Sequence, residues 1–466
     1  MDMDTNTKDE FIAAIEIGSS KITSMIGQRY ADGSIRVQAF LQSSSAAFIR
    51  RGAVYNVDQT TECLKNIKQN LEGTVKRTIT KVYVCIGGQS LHSVLNPVIR
   101  EFDVETKITN EMVDSLQEED RQSDVGEYKL MKIIPQDYLI GKLRQPTKSD
   151  VAGVVSDRIE GRFLNIYYKR RFFEQIKECL TKAGFKNVEY RMTPLVLGDA
   201  LLSDDAKRTG CVLIDFGQDT TSVAIYSSRL LRRLTVIPIG SGNITKDIAS
   251  VFKIEEAEAE KLKTHYGTAC YDKDTDTDES EKTYSLHDGR DVKASELNDI
   301  IEARMQEILV NVDEQIKHSG LKVNDDLISG AIITGGGVNL NNIDRAIKQF
   351  TSIGDKVKFA KTLSSNIVLK PEMKKAQPGT LNAISALLAI EKQDCAGTEI
   401  GENTIFSDDE KNRQGGSETP KDPDTEKKQP TDHDKKEEPK KTGKFRDFIQ
   451  KTKKAIDKLV SPEEQE

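Results

Sequence analysis

The feature that most constrains the fold is an internal repeat of architecture. Residues 11–42 contain three apolar runs separated by turn signals, FIAAIEIG, KITSMIGQ and SIRVQAFLQ, which predict a three-strand meander, and a helix is predicted at 61–77. The same order returns over residues 210–240 as GCVLIDFG, TSVAIYSS and LLRRLTVIPIG, followed by a predicted helix at 242–252. Each copy joins its first two strands through an acidic residue, one further residue and a glycine. Such a repeat predicts a molecule with two related halves.

Length and composition agree with more than one lobe. The chain has 466 residues, which exceeds the usual size of one compact domain. Hydrophobic residues make up 36% and charged residues 31%, so we expect part of the chain to be an unfolded tail. The formal net charge of -7 argues against general nucleic-acid binding.

The cysteines and the chain start bear on the compartment. Six cysteines are scattered without a C-x-x-C pair, which suggests neither a zinc knuckle nor a disulfide framework and fits a reducing compartment. The first ten residues, MDMDTNTKDE, lack the apolar stretch of a signal peptide. No apolar run approaches the ~18 residues that a membrane span needs, so we expect any membrane contact to be peripheral.

The two acid-x-Gly turns are the first candidate site. A carboxylate at the end of a buried strand, such as Asp215, can hold magnesium through water, and the glycine after it lets backbone N–H groups approach phosphates. The first copy runs from Glu16 to Lys21 and adds a lysine that can reach a phosphate. Taken singly, such a turn is more often an ordinary hairpin, and the lysine is more often a solvated strand lysine.

Two further pieces complete the candidate site. The strand-and-turn sequence AIITGGGVNL (331–340) has three glycines that permit close approach to a planar ligand or a phosphate, although a simple flexible turn has the same composition. Glu260 and Lys263 lie three residues apart and share a helix face. They form either a pair that holds a ribose or a surface ion pair worth about 0.5 kcal/mol or less.

The end of the chain differs from the rest. Residues 396–442 are rich in charged residues, Pro, Gly and Ser, and we predict a disordered linker there. Residues 443–460 place apolar side chains on one helical stripe and basic side chains around it, with a segment charge of 6 − 2 = +4. Such a helix favours an anionic membrane surface, and packing on the body or on a partner is the alternative. The predicted membrane contacts are Phe445, Phe448, Ile449, Ile456, Leu459, Lys444, Arg446, Lys451 and Lys454.

The order of these elements resembles the actin/Hsp70/sugar-kinase ATPase superfamily and, within it, the FtsA family of bacterial cell-division proteins. The resemblance covers roughly residues 10–391: both acid-x-Gly turns, the E-x-x-K helix, the TGGG turn and a small-residue helix at 378–390. Two features favour that family. The stretch from KVYVCIGGQSLHSV to GRFLNIYYKR resembles its extra subdomain in the first lobe, and a long linker with an amphipathic helix ends the chain.

The resemblance implies a fold class, which is α/β with an actin-like two-lobed ATPase fold. It has an inserted subdomain in the first lobe, then a disordered C-terminal linker and an amphipathic helix. The implied bounds are 10–85 and 163–197 for the first lobe, 86–162 for the inserted subdomain, 198–244 and 326–391 for the second lobe, 245–325 for its upper part, 392–442 for the linker and 443–460 for the membrane-targeting helix.

The resemblance also implies ATP and Mg²⁺ in the cleft between the lobes, with Asp215 holding the metal through water. The expected nucleotide-binding residues are Glu16, Gly18, Ser19, Ser20, Lys21, Asp215, Gly217, Thr220, Gly240, Glu260, Lys263, Gly335, Gly336 and Gly337. The second turn departs from the usual D-x-G-G-G-T at Gln218 and Asp219, and the added carboxylate near the expected γ-phosphate disfavours ATP unless a cation offsets it. We therefore expect at most weak ATPase activity, and no general base is assigned.

The function implied is that of a membrane tether in cell division. The second lobe would bind the C-terminal peptide of the tubulin-like ring protein FtsZ, and the chain would self-associate into filaments. The inserted subdomain would recruit later division proteins, all at the cytoplasmic face of the membrane at the septum. The alternatives are a soluble sugar or small-acid kinase of the same superfamily and a pilus-type actin-like scaffold, neither of which needs the amphipathic tail.

Overall fold

The computed structural model describes residues 10–400, except for 124, 142, 146–147, 272–281 and 361–365. The predicted linker beyond residue 400 and the predicted amphipathic helix at 443–460 lie outside the described residues. So does most of the acidic stretch 271–282, whose composition favours a solvated linker. Within the described part, no helix is both long and apolar enough to cross a bilayer.

The elements alternate between strands and helices along the chain. The strands are β1 (Glu10–Ile17), β2 (Lys21–Arg29), β3 (Ile35–Ser44), β4 (Ile49–Arg50), β5 (Ala53–Val54), β6 (Arg77–Ile79), β7 (Lys81–Ile86), β8 (His92–Lys107), β9 (Tyr128–Ile140), β10 (Leu143–Gln145), β11 (Val155–Lys169), β12 (Asn187–Met192), β13 (Cys211–Phe216), β14 (Thr221–Ser227), β15 (Leu230–Ile237), β16 (Thr283–Ser285), β17 (Asp291–Lys293), β18 (Ala331–Thr334), β19 (Val357–Phe359), β20 (Ile367–Val368) and β21 (Ala396–Glu399).

The helices cover the sheets and the upper part of the second lobe. They are α1 (Val57–Val75), α2 (Asn110–Arg121), α3 (Lys148–Val151), α4 (Arg170–Lys182), α5 (Thr193–Leu201), α6 (Asp204–Thr209), α7 (Ser241–Phe252), α8 (Glu256–Tyr266), α9 (Ala294–His318), α10 (Val323–Asp326), α11 (Ile343–Phe350) and α12 (Asn382–Ile390), with short 3-10 helices at Gly336–Asn339 and Pro371–Lys375.

The two halves are built on the same plan, which confirms the predicted fold class. One sheet has the order β12-β7-β1-β2-β3-β20, and the other has the order β10-β9-β11-β8-β15-β14-β13-β18-β19. In each, an antiparallel meander (β1-β2-β3 or β13-β14-β15) is extended by a strand parallel to its first member, β7 or β18. The first strands read as nearly continuous apolar runs because these central strands are buried on both faces.

Helix α1 shows how local sequence sets an element. Its buried residues Thr60, Leu64, Ile67 and Leu71 recur at helical spacing, so one face of the helix packs on the lobe. The helix begins at Val57, four residues earlier than predicted, because the Asn56 side chain accepts a hydrogen bond from the Gln59 N–H group at 3.0 Å.

The inserted subdomain is built around three long strands. Strands β8, β9 and β11 are 16, 13 and 15 residues long, and α2 packs on them over a separate small core that includes Val98, Leu116 and Phe163. Many β8 side chains that do not face this core are exposed. Both charged and apolar residues occur among them, so the strand lacks a clear alternation of apolar and polar residues. Strand β8 is long because it pairs with β11 over most of its length, and no local sequence pattern predicts this pairing.

The predicted start of the disordered linker, residue 392, was wrong, because the ordered chain continues to residue 400. Residues 394–400 lie on the first lobe, where β21 pairs with β6. The Cys395 N–H group donates to the Phe11 carbonyl at 2.7 Å, and its carbonyl accepts from the Thr80 N–H group at 2.9 Å. We call this segment the C-terminal strap (394–400). It is ordered by backbone hydrogen bonds to residues far away in the sequence, and amino-acid composition does not predict such bonds.

Candidate functional site

A cleft of about 180 Å³ lies between the turns of the two meanders. It brings together most of the predicted site residues, which come from both lobes. These are Glu16, Gly18, Ser19, Ser20, Lys21, Asp215, Gly217, Thr220, Gly335 and Gly336. The remaining predicted residues, Gly240, Glu260, Lys263 and Gly337, do not line the cleft.

The first turn, Gly18–Lys21, is closed by its own backbone. The Gly18 N–H group donates to the Lys21 carbonyl at 3.2 Å, and a Cβ at Gly18 would lie only 2.8 Å from that oxygen, so the turn requires glycine. Ser45 Oγ donates to the Gly18 carbonyl at 2.6 Å, and the Gly52 N–H group donates to Ser19 Oγ at 2.9 Å. Hydrogen bonds from Ser45 and Gly52 of the first lobe therefore fix the position of the turn.

The second turn repeats this geometry. The Gly217 N–H group donates to the Thr220 carbonyl at 2.9 Å, and a Cβ at Gly217 would again lie 2.8 Å from the carbonyl oxygen. The first turn of α7 supports it, because the Ser241 N–H group donates to the Gly217 carbonyl at 2.9 Å. Gly240 permits this packing, since a Cβ there would lie 2.6 Å from the Gly217 carbonyl oxygen. Its role is behind the turn rather than at the cleft surface.

The cleft holds two acidic side chains, Glu16 and Asp215, whose ionisation is disfavoured by burial. Burial, followed by the charge of Asp215, raises the pKa of Glu16 to about 8, while the Lys21 ammonium acts in the opposite direction. Burial also raises the pKa of Asp215, to about 6. These shifts indicate that the protein supplies too little positive charge to stabilise both groups as carboxylates. A cation bound beside Glu16 and Asp215 would favour their ionised forms.

The carboxylates of the cleft suit magnesium better than a metal enclosed by protein side chains. The described residues contain no cluster of three or more His, Cys, Asp or Glu side chains able to enclose a metal. Mg²⁺ usually keeps several waters and is held by one or two carboxylates together with phosphates. Glu16 and Asp215 therefore fit magnesium held mainly through water and a phosphate ligand.

The glycine-rich turn after β18 closes one wall. Gly335 has a φ of 91° and lies so near Asp215 that a Cβ would be 2.5 Å from Oδ1. The start of α12 packs against it: a Cβ at Gly379 would lie 2.7 Å from the Gly335 carbonyl oxygen, and Asn382 Nδ2 donates to Thr334 Oγ1 at 2.8 Å. Gly337 is turned away from the cleft and packs on Phe216.

Glu260 and Lys263 form the predicted pair, with Lys263 Nζ 2.7 Å from Glu260 Oε2. The lysine is buried and also donates to Thr245 Oγ1 at 2.9 Å and to the Ser241 carbonyl at 3.1 Å. It thus supports the first turn of α7, which in turn supports the second acid-x-Gly turn. A contact of this pair with a ribose stays a prediction.

Several lining residues escaped sequence reasoning. They are Gly52, Gly87, Gly88, Thr193, Leu197, Ser222 and Ser241. The Gly87-Gly88 pair after a buried strand was a usable signal, since it marks a place where backbones approach closely. Thr193 and Leu197 reach the cleft only because α5 packs beside it, and nothing in their local sequence indicates this.

Asp219 is not where the sequence led us to expect. Its carboxylate does not line the cleft; Oδ2 accepts a hydrogen bond from the Arg51 N–H group at 3.0 Å. The side chain thus contacts the first lobe across the cleft.

Comparison with known proteins agrees with this architecture. The family model described as cell division protein FtsA matches residues 212–378. The FtsA of Porphyromonas gingivalis is 31% identical over 347 residues, which cover 72% of this chain and 70% of that protein. The FtsA of Neisseria meningitidis is 29% identical over 336 residues, covering 71% and 79%.

A solved structure supports the fold alone. The PilM-PilN type IV pilus biogenesis complex superposes with a TM-score of 0.56 at 14% identity, over 82% of this chain and 99% of that chain. Together with the two meanders and their paired turns, the sequence relatives settle the family. The chain belongs to the FtsA family of cell division proteins.

Proposed function

We propose that this protein binds ATP with Mg²⁺ in the cleft between its lobes and tethers FtsZ filaments to the inner face of the cytoplasmic membrane during division. The observation that carries the nucleotide part is the pair of equivalent acid-x-Gly turns facing one cleft. Backbone N–H groups at glycine-containing turns suit a phosphate chain. The FtsA relatives favour a nucleotide-dependent assembly protein over a kinase that acts on a sugar.

The residues divide the task by their chemistry. The backbone of Gly18–Ser20 and Gly217–Thr220 would hold phosphate oxygens, and Lys21 would offset their charge. Asp215, with Glu16 beside it, would hold magnesium through water, and the metal would supply positive charge to the phosphates. The glycines 335 and 336 leave room for the nucleoside against the second lobe.

The membrane part rests on the predicted C-terminal helix. Each basic residue near an anionic leaflet contributes roughly 1 kcal/mol, and each large apolar side chain buried in the interface roughly 1.5–3 kcal/mol. A single helix of this kind binds reversibly, and a filament that carries many copies binds far more firmly through avidity. The first-lobe anchorage of the C-terminal strap supports a tether that leaves from a defined point, beside Lys76.

The partner assignments follow from the family. The upper second lobe (245–325) would bind the C-terminal peptide of FtsZ, and the inserted subdomain (86–162) would recruit later division proteins. The protein as a whole would self-associate into filaments. Substitutions on the surface of the upper second lobe should abolish binding of an FtsZ C-terminal peptide in fluorescence anisotropy. Unchanged anisotropy across such a series would remove this docking site from the proposal.

Nucleotide binding is tested with a fluorescent ATP analogue and magnesium. We expect Lys21→Ala and Asp215→Asn to raise the Kd by about tenfold or more, because each removes a charge next to the phosphates or the metal. Lys186→Ala, at an exposed lysine, is the matched control. Equal affinity in all four proteins would contradict the assignment of the cleft.

Membrane binding is tested by co-sedimentation with anionic liposomes, with and without magnesium-ATP. The full chain should sediment, whereas a truncation before Gly443 and the variant Phe448→Glu should remain in the supernatant. Gln450→Glu adds the same charge away from the apolar stripe and should still sediment. If Phe448→Glu and Gln450→Glu behave alike, the amphipathic helix is not the anchor.

A further inference from the structure

The loop between β4 and β5 forms the first-lobe side of a contact that spans the cleft. Arg51 and Gly52 are both in the left-handed region, with φ values of 49° and 75°. This conformation points two successive N–H groups toward the acid-x-Gly turns: the Gly52 N–H group donates to Ser19 Oγ at 2.9 Å, and the Arg51 N–H group donates to Asp219 Oδ2 at 3.0 Å. The loop thus joins the first turn to the second.

The donor side of this contact is rigid. The Arg51 carbonyl accepts from the Gln89 N–H group at 3.0 Å. The buried Tyr168 hydroxyl donates to the carbonyls of Gly52 at 3.3 Å and Gly87 at 3.1 Å. Gly52 and Gly88 lie so close that a Cβ on Gly52 would be 2.5 Å from the Gly88 Cα. The Arg51 amide is therefore fixed to the first lobe.

The acceptor side is equally fixed to the second lobe. Asp219 lies within the second turn, whose Gly217 and Gln218 carbonyls accept from the Ser241 and Gly242 N–H groups at 2.9 and 2.7 Å. A carboxylate that accepts from a backbone N–H group makes a charge-assisted bond, stronger than one between neutral groups. Two rigid parts in different lobes are thus joined directly at the phosphate end of the cleft.

We propose that Asp219 is a positioning residue that clasps the two lobes together and slows the release of nucleotide from the cleft. Release requires the two turns to separate, and the Asp219–Arg51 hydrogen bond must break when they do. This inference rests on the proposed nucleotide binding, but the clasp itself is a property of the protein alone. It also explains how the chain tolerates a carboxylate in the second turn: the charge is directed to a backbone amide and away from the phosphate chain.

The clasp predicts an effect on release rate. Dissociation of a fluorescent ADP analogue, chased with excess unlabelled nucleotide, should be about five- to tenfold faster in Asp219→Ala than in the unaltered chain, which corresponds to about 1–1.4 kcal/mol. Asp219→Asn keeps a neutral acceptor oxygen and should fall between the two. Asp204→Ala, at an exposed aspartate in α6, is the control and should leave the rate unchanged.

A second measurement tests the clasp without nucleotide. Hydrogen exchange at the Arg51 amide, resolved to single residues, should be about tenfold faster in Asp219→Ala, while the Gln89 amide should keep its protection. If no protein in the series binds nucleotide, the proposed function fails and the exchange data alone decide whether the clasp exists. Unchanged exchange at Arg51, or unchanged release from a chain that does bind nucleotide, overturns the inference.

Discussion

The variant Glu16→Gln makes a pH-dependent prediction about stability. Glu16 lies at the end of β1, and burial and the neighbouring Asp215 raise its pKa from an ordinary value of 4.5 to about 8. A carboxyl group whose pKa is higher in the folded state stabilises the protein fully below its unfolded pKa and loses that contribution as the pH rises through the folded value. The loss therefore falls between pH 4.5 and pH 8.

The size of the effect follows from the same two values. At about 1.4 kcal/mol for each pH unit, the interval from 4.5 to about 8 sets an upper limit of about 5 kcal/mol. The side chain is partly exposed to the cleft, and solvent there screens the repulsion. As the pH rises from 5 to 8.5, we therefore expect the free energy of unfolding of Glu16→Gln to increase by about 2 kcal/mol relative to that of the unaltered chain.

The assay is urea-induced unfolding without nucleotide or metal, at closely spaced pH values. Glu105→Gln, at an exposed carboxylate of β8, is the control and should show no such trend. Added magnesium should reduce the difference between Glu16→Gln and the unaltered chain at pH 8.5, because the cation relieves the same repulsion. A difference that stays constant across this pH range would refute the reasoning.

Three further predictions concern packing around the cleft. Gly335→Ala should destabilise the protein by about 1–3 kcal/mol and weaken nucleotide binding, because the new Cβ meets Asp215 at a φ of 91°; thermal melts and nucleotide titrations check this. Lys263→Ala should lower the free energy of unfolding by about 1–3 kcal/mol, since Ser241 and Thr245 lose a buried partner, and urea unfolding measures it. Truncation after residue 391 should lower the melting temperature, and truncation after residue 400 should not, because only the former removes the C-terminal strap.

The inserted subdomain and the C-terminal strap show where local pattern fails. Strand β8 carries exposed Val94, Leu95 and Ile99 beside charged residues, so its alternation is blurred and its length depends on the ladder with β11. The strap reads as a polar tail, yet Cys395 is buried by contacts with strands more than 300 positions away. The stability of both segments comes from strand pairing with residues that are remote in the sequence. The intrinsic propensity of a residue does not predict such pairing.

The two meanders, their acid-x-Gly turns and the relation between the halves could be predicted from the amino-acid sequence. These features depend on alternation of apolar residues and on glycine at a hairpin turn, which are local properties of Glu16–Lys21 and Asp215–Thr220. Long-range packing, by contrast, places Gly52 and Thr193 at the cleft, Lys263 under α7, and the Asp219 carboxylate beside the Arg51 amide. The direction of a side chain in a turn depends on which donor the opposite lobe presents, and that is set by the packing of the whole chain.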